Sequence, residues 1–158
     1  MSSASVPVSS ESPSLPATDA RYVLYTEDNP TDAVFFRRAF TKVAADVPLY
    51  HFDNGSDAWR FLDERVQSGH SLPLLCLFDI KMPGYSGLEL LELMRGTPAL
   101  RFSPTVLLSA SYETSDINRA YEYRANAYLV KPNRYRELSQ LVESLSIFWL
   151  QYNRTSSS

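Results

Sequence analysis

LLCLFDIKMPG, residues 74–84, is the stretch that decides the fold of this chain. Its first five residues are apolar without any polar alternation, a pattern typical of a strand covered on both faces in a parallel sheet. The strand ends at Asp79, and Pro83 with Gly84 then predicts a turn. Because ligands of open α/β sheets bind at the carboxyl ends of the strands, Asp79 is the first candidate for chemistry. The alternative is that Asp79 only caps the following loop as an Asx-turn.

Short apolar runs at regular spacing predict four further strands, each followed by a segment with helical periodicity. Five strands alternating with five helices indicate a doubly wound α/β fold, a five-stranded parallel sheet with helices on both faces. The strands are expected at 22–25, 49–52, 74–78, 105–108 and 127–130, and the last two helices run to about residue 124 and over roughly 135–150.

Three helix starts carry a capping signal. Asn29 followed by Pro30 predicts a cap and the first position of the first helix. Ser56 is expected to cap the second helix. Ser86 with Glu89 three places later predicts a capping box for the third.

Composition limits the class of protein. A length of 158 residues leaves room for one domain, and we expect no attached output domain. A net charge of -3, without a long basic run, predicts neither nucleic acid nor a membrane surface as partner. Cys76, inside the apolar strand, is expected to be a buried free thiol in a cytoplasmic protein. His51 and His70 are expected at the surface or in loops.

The ends of the chain have the composition of tails. Residues 1–19 are mostly Ser, Pro and Ala, and the last residues are again rich in Ser. We expect disordered tails at 1–19 and 153–158 around one domain at 20–152.

Charged and hydroxyl side chains follow four of the five strands. Glu27 and Asp28 follow the first, Asp79 the third, Ser109 the fourth and Lys131 the fifth. Because the carboxyl ends of parallel strands lie at the same edge, these residues are expected to converge. Each has a plain alternative, such as a helix-dipole contact, a turn cap or a solvated lysine, but four coincidences at four strand ends are hard to accept.

A divalent cation would explain why three carboxylates gather at one edge. Glu27, Asp28 and Asp79 are predicted ligands of Mg²⁺ or Mn²⁺, which prefer oxygen donors. The turn after Asp79 offers a backbone carbonyl as a further ligand, which we assign to Lys81.

Ser109 and Lys131 need a different explanation, since holding a metal ion gains little from a hydroxyl and an ammonium. Both suit a phosphoryl group, whose oxygens they would stabilise during transfer. An aspartate can be the nucleophile that forms an aspartyl-phosphate, which makes Asp79 the predicted phosphoacceptor.

In combination, these motifs resemble the receiver domain of bacterial response regulators over about residues 20–152. The resemblance rests on four stretches: the acidic pair in Glu27-Asp28-Asn29-Pro30, the phosphoacceptor loop FDIKMPG at 78–84, LLSA at 107–110 and AYLVKP at 127–132. It implies a flavodoxin-like sheet of order 2-1-3-4-5. It also implies a phosphoacceptor signalling protein that catalyses only its own phosphotransfer and slow autodephosphorylation, rather than an enzyme acting on another substrate.

The resemblance also implies roles and partners. Phosphorylation at Asp79 by a sensor histidine kinase would draw Ser109 toward the phosphoryl oxygens and let Tyr128 turn inward. That movement would remodel the face made by the fourth helix, fifth strand and fifth helix for a downstream protein or a phosphotransfer partner. Lys81 and Ser111 would tune the dephosphorylation rate. The first helix start and the closing helix are similar to single-domain regulators paired with bacterial phytochrome kinases, which implies a bacteriophytochrome as the kinase.

The last helix carries apolar residues outside its main stripe, among them Phe148. Such a surface predicts a homodimer built from this helix, with Tyr121, Phe148 and Trp149 in the contact. The alternative is that this end folds back over the core.

Three rival functions share parts of this pattern. A receiver-like module could bind partners independently of phosphorylation. A haloacid-dehalogenase-like phosphohydrolase also uses a strand-end Asp, but it needs a second acid where Lys81 stands. A flavodoxin-type FMN carrier needs hydroxyls and glycines where Glu27 and Asp28 stand.

Overall fold

The computed structural model describes residues 21–154. The tail predicted at 1–19 and residues 155–158 of the C-terminal tail lie outside the described residues.

A five-stranded parallel sheet of order β2-β1-β3-β4-β5 forms the centre of the domain, which confirms the predicted fold. Each strand runs parallel to its neighbours, so all five carboxyl ends lie at one edge. The strands are β1 Val23–Thr26, β2 Leu49–Phe52, β3 Leu75–Phe78, β4 Thr105–Ser109 and β5 Ala127–Val130.

Helices cover both faces of this sheet. One face packs against α1 and α5, and the other against α2, α3 and α4. The helices are α1 Pro30–Val43, α2 Gly55–Ser68, α3 Gly87–Arg95, α4 Thr114–Glu122 and α5 Tyr135–Ser146, with a 3₁₀ turn at Pro98–Leu100 and a π-helical turn at Ile147–Tyr152. No described helix has both the length and the apolar composition needed to cross a membrane.

The burial of β3 on both faces explains why the apolar run within residues 74–84 predicts a parallel sheet. Leu75 and Leu77 belong to the core on one face, whereas Cys76 and Phe78 belong to the core on the other. All four side chains are almost completely buried, so both faces of β3 carry apolar residues and the sequence shows no polar alternation. Cys76 is a buried free thiol, as predicted.

Two of the three predicted caps are confirmed. The Asn29 side chain accepts hydrogen bonds from two backbone N–H groups of α1, and Ser86 with Glu89 forms the capping box of α3. The Ser56 cap is wrong. Asn54 caps α2 instead, since its Oδ1 accepts a hydrogen bond from the Asp57 N–H at 2.8 Å. The helix begins earlier than predicted, at Gly55.

The last helix ends earlier than the predicted residue 150. Regular α-helix stops at Ser146, and the chain continues as the wider π-helical turn. Trp149 and Leu150 pack against the core, whereas Ile147 and Phe148 are exposed. The π-helical turn therefore packs against the core through some of its side chains and exposes others to solvent.

His51 does not lie at the surface, contrary to expectation. It is buried in β2, and its Nε2 lies 2.7 Å from the carbonyl oxygen of Glu27. Burial lowers the pKa of His51, which favours the neutral ring as the donor of this bond. The ring holds the backbone at the start of the acidic edge.

Gly87 permits a close approach behind the predicted phosphoacceptor. A Cβ at this position would overlap the carbonyl oxygen of Asp79, and the Gly87 N–H donates to the Ile80 carbonyl at 3.0 Å. A Cβ at Gly96, by contrast, would make only ordinary contacts, the nearest at 3.6 Å.

We therefore expect Gly87→Ala to lower the free energy of unfolding by about 1–3 kcal/mol, since the loop at Asp79 must move to admit the methyl group. Gly96→Ala is the matched control and should stay within roughly 0.5 kcal/mol of the parent protein or exceed it. Urea unfolding followed by circular dichroism measures both. Equal stability of the two variants would contradict the close packing at Gly87.

Candidate functional site

The acidic residues predicted at separate strand ends come together at the carboxyl edge of the sheet. Glu27 and Asp28 follow β1 and Asp79 follows β3, and each offers a carboxylate oxygen within 4.8 Å of the others. They line an open cleft of about 470 Å³ that also contains Ser109 and Lys131. All five residues singled out at the strand ends thus share one site.

Lys131 is the centre of this charge cluster. Its Nζ donates to Glu27 Oε1 at 2.6 Å and to Asp79 Oδ2 at 3.3 Å, and it lies 3.5 Å from Asp32 Oδ2. Burial opposes its charge, but the Glu27 hydrogen bond and the neighbouring carboxylates outweigh burial and raise the pKa of Lys131. The ammonium therefore stays charged throughout the physiological range.

Asp32 is a member of the site that the strand-end reasoning missed. It lies in the first turn of α1, not at a strand end, and it faces Lys131 and lines the cleft. Its signal in the sequence was a third acid four residues after Asp28, on the helix start that carries the Asn29 cap.

Glu27 is the most buried acid of the cluster, with its side chain 2% exposed. Burial raises its pKa to about 7, with a smaller contribution from the Asp79 charge, while the hydrogen bond from Lys131 acts in the opposite direction. Its Oε2 also accepts from the Asn29 N–H at 3.2 Å. Glu27 is therefore held in place by both Lys131 and the start of α1.

A hydrogen-bonded chain leads from Ser109 to the surface of α4. Ser109 Oγ accepts from the Ser111 N–H at 3.1 Å, and the Ser111 carbonyl accepts from the Tyr128 hydroxyl at 2.9 Å. The Tyr128 N–H in turn donates to the Tyr121 hydroxyl at 3.2 Å. Ser111 Oγ donates to Asp116 in the first turn of α4. A displacement of Ser109 would therefore disturb β5 and α4 together.

Lys81 lies at the rim of the cleft with its side chain in solvent. Its backbone carbonyl accepts no hydrogen bond from any residue in the described range 21–154. The turn is held from behind, because the Gly55 N–H donates to the Pro83 carbonyl at 2.9 Å. The Lys81 carbonyl is thus available as the ligand that the sequence predicted.

The donor set at this edge fits a hard divalent cation. Three carboxylates and a main-chain carbonyl are the oxygen ligands that Mg²⁺ and Mn²⁺ prefer, and the open cleft leaves room for water and a bound phosphoryl oxygen. Lys131 is the only cation among the described residues that contacts these acids. One positive charge does not balance four carboxylates, so a further cation would be favoured here.

Residues 23–143 match the model of the response regulator receiver domain. The chain belongs to this family. Receiver domains are the signalling modules of two-component systems rather than enzymes acting on a separate substrate, so the phosphohydrolase and FMN-carrier alternatives are set aside.

Relatives of known name or structure agree with this placement. The probable methanogenesis regulatory protein FilR2 of Methanothrix harundinacea is 33% identical over 141 residues, which cover 89% of this chain and 91% of that protein. The crystal structure of the phosphorylated cyanobacterial phytochrome response regulator RcpA is 26% identical, with a TM-score of 0.80 over 88% of this chain and 99% of that one. The Mn²⁺-bound form of response regulator Rcp1 is 26% identical, with a TM-score of 0.78 over 86% and 99%. The chain is therefore similar to phytochrome-associated response regulators.

Proposed function

We propose that this receiver domain accepts a phosphoryl group from a histidine kinase on Asp79, with Mg²⁺ or Mn²⁺ bound at Glu27, Asp28, Asp79 and the Lys81 carbonyl. The observation that carries the proposal is the convergence of a partly buried aspartate, a lysine and a buried hydroxyl in one cleft. The metal, when bound, would neutralise charge on the incoming phosphoryl oxygens. The similarity to the Mn²⁺-bound Rcp1 structure supports this choice of ion.

In the transfer, a carboxylate oxygen of Asp79 attacks the phosphorus of a phosphohistidine. The new P–O bond forms as the P–N bond breaks, and the electron pair of that bond stays on the imidazole of the donor, which leaves as the neutral base after taking up a proton. Lys131 already lies 3.3 Å from Asp79, so its ammonium can follow the negative charge onto the phosphoryl oxygens. Ser109 lines the same cleft and supplies a hydroxyl that can donate to a phosphoryl oxygen.

The hydrogen bonds that link Ser109 to Ser111 and Ser111 to Tyr128 suggest how phosphorylation would change the conformation of the domain. If Ser109 turns toward a phosphoryl oxygen, its Oγ no longer accepts from the Ser111 N–H, and the Ser111 carbonyl that holds Tyr128 is free to shift. Tyr128 can then change its position against the core under α4. We propose that the face of α4, β5 and α5 transmits this change to a downstream protein or a phosphotransfer partner.

Two residues at the rim of the cleft are proposed to tune the lifetime of the phosphoryl group. Lys81 projects into solvent beside Asp79, and Ser111 lies two residues after Ser109. Both positions border the space through which water would approach the phosphorus.

The surface beside the cleft supports a protein as phosphoryl donor. Val34 and Phe35 are exposed apolar residues of α1, and Phe35 lines a small cavity shared with Lys131 and Pro132. A kinase helix packed against this surface would lie beside Lys131, which lines the same cleft as Asp79, so its histidine could approach Asp79 from there. The similarity to RcpA supports a bacteriophytochrome as that kinase. The buried free thiol of Cys76 supports a reducing, cytoplasmic location for the protein.

Asp79→Asn should abolish uptake of acid-labile phosphate from acetyl phosphate with Mg²⁺, because the amide cannot form the acyl phosphate. Intact-protein mass spectrometry checks this as the loss of the added phosphoryl mass. Asp46→Asn, which makes the same charge change on an exposed loop residue, is the control and should label fully. Undiminished labelling of Asp79→Asn would overturn the assignment. A parent protein that never labels would favour the phosphorylation-independent module.

We also propose that the domain forms a homodimer through the end of its last helix. Phe148 is 54% exposed and Tyr152 is 74% exposed in the π-helical turn, and Tyr121 is exposed on α4. Trp149 packs partly against the core and edge-on against Phe148, so it would support the contact from beneath. Exposed aromatic residues of this kind are typical of protein contacts.

Phe148→Ser should weaken self-association by roughly tenfold or more, because it removes an exposed aromatic anchor. Sedimentation velocity of the unphosphorylated protein over a concentration series measures the effect. Phe102→Ser, at a phenylalanine that is 68% exposed in the turn before β4, is the matched control. A parent protein that stays monomeric at roughly tens of micromolar would contradict the dimer.

A further inference from the structure

The amino edge of the sheet, opposite the phosphoacceptor cleft, carries a basic cleft that the proposed function does not use. It lies between the end of α3, the start of β4 and the turn from α4 to β5, and has a volume of about 410 Å³. We call it the arginine cleft, and define it by its lining residues Arg95, Arg101, Phe102, Arg124 and Asn126.

Positive charge in the arginine cleft has no acidic partner. None of the carboxylates in residues 21–154 lies within ion-pair distance of its three arginines. Arg95 is half-buried, and its guanidinium donates hydrogen bonds to the carbonyls of Leu100, Ser103 and Arg124. These bonds hold the walls of the cleft together, but no carboxylate in the described part of the chain balances the positive charge of Arg95. Burial, together with the Arg124 charge, lowers the pKa of Arg95.

Arg101 and Arg124 have guanidinium groups available to a ligand. Both are exposed, and neither side chain donates a hydrogen bond to a described residue. Arg101 lies over the ring of Phe102, 4.8 Å from its centroid, and that ring is 68% exposed. The cleft thus presents two unpaired charges beside an aromatic surface.

Arg124 occupies a conformation that its side chain does not favour. Its φ of 63° is the only positive value outside glycine in the described chain. It follows the C-cap of α4, where the Ala125 N–H donates to the Ala120 carbonyl and the Arg124 N–H to the Tyr121 carbonyl. Glycine is the usual residue at this point of such a helix end. An arginine here costs backbone energy that the fold alone does not require.

We propose that the arginine cleft binds an acidic segment of a partner protein, with an apolar side chain of that segment seated against Phe102. Charge complementarity selects the carboxylates, since guanidinium groups pair with them in bidentate geometry. The volume falls within the range of about 300–1,000 Å³ typical of ligand pockets, which is more than one inorganic anion fills. Exposed aromatic residues and arginines are enriched at protein contacts, which favours a peptide over a free anion.

The arginine cleft lies at the edge of the sheet opposite Asp79, so a partner bound there would not cover the phosphoacceptor. The arginine cleft lies at the amino ends of β4 and β5, whereas Asp79 and Lys131 lie at the carboxyl edge. A partner held there leaves the cleft around Asp79 open, so the unphosphorylated protein should already bind it. The proposal therefore stands or falls separately from the assignment of Asp79.

Arg124→Gly is the decisive variant, because it removes the guanidinium while supplying the residue that the backbone prefers. Fluorescence anisotropy of a labelled Asp-Leu-Asp-Asp-Leu-Asp peptide with the full-length protein should show binding that weakens by roughly tenfold in Arg124→Gly and in Phe102→Ser. Thermal unfolding should show Arg124→Gly to be at least as stable as the parent protein. Arg136→Gln, at an exposed arginine of α5, is the matched control and should bind as the parent does.

Two further binding measurements decide whether the ligand is an acidic peptide or any small anion. The Asn-Leu-Asn-Asn-Leu-Asn peptide should fail to bind, and inorganic phosphate at the same concentration should fail to displace the acidic peptide. Equal binding by Arg124→Gly and Arg136→Gln would overturn the proposal. Displacement by phosphate at the peptide's own concentration would reduce the cleft to a general anion site and overturn the peptide assignment.

Discussion

The structure depends on one ion-paired ammonium, Lys131, which two carboxylates from distant parts of the chain hold at the edge of the sheet. Nζ lies 2.6 Å from Glu27 and 3.3 Å from Asp79, which brings the ends of β1, β3 and β5 to one point. With Asp28 and Asp32 nearby, the negative charge still exceeds the positive. Such an excess of negative charge favours a cation, and with a cation bound the site could accept the anion that the proposed function requires. Its chemistry follows from that imbalance.

The fold makes this arrangement possible by burying everything beneath it. The β3 residues that precede Asp79 are covered on both faces, and Gly87 lets the backbone of α3 pass directly behind the Asp79 carbonyl. His51 holds the Glu27 backbone from the neighbouring strand. Under the proposed function, a phosphoryl group on Asp79 would shift the loop at Ser109 and the side chain of Tyr128, which are joined by hydrogen bonds through Ser111. The opposite edge, with its arginine cleft, is free to serve a second contact.

Residues with a periodic or buried environment were predictable from sequence, and residues placed by three-dimensional neighbours were not. The strands, their order and the caps at Asn29 and Ser86 follow from local patterns and from resemblance to a known family. The Ser56 cap was wrong because Asn54 competes two positions earlier, and the backbone of the 83–85 turn fixes where α2 begins. His51 was misplaced because a single polar residue in a short apolar strand does not reveal its partner. Asp32 joins the site through the first turn of a helix, which strand-end reasoning does not examine.

The most direct test of the charge balance is a calorimetric titration of Mg²⁺ with and without beryllofluoride, a small mimic of the phosphoryl group. Because the ion and Lys131 together must offset the anion, the affinity for Mg²⁺ should rise by roughly tenfold or more when the mimic is present. In Lys131→Met this coupling should fall sharply, while some binding of Mg²⁺ alone remains at the acids. Equal Mg²⁺ affinities with and without the mimic, or full coupling in Lys131→Met, would contradict the account.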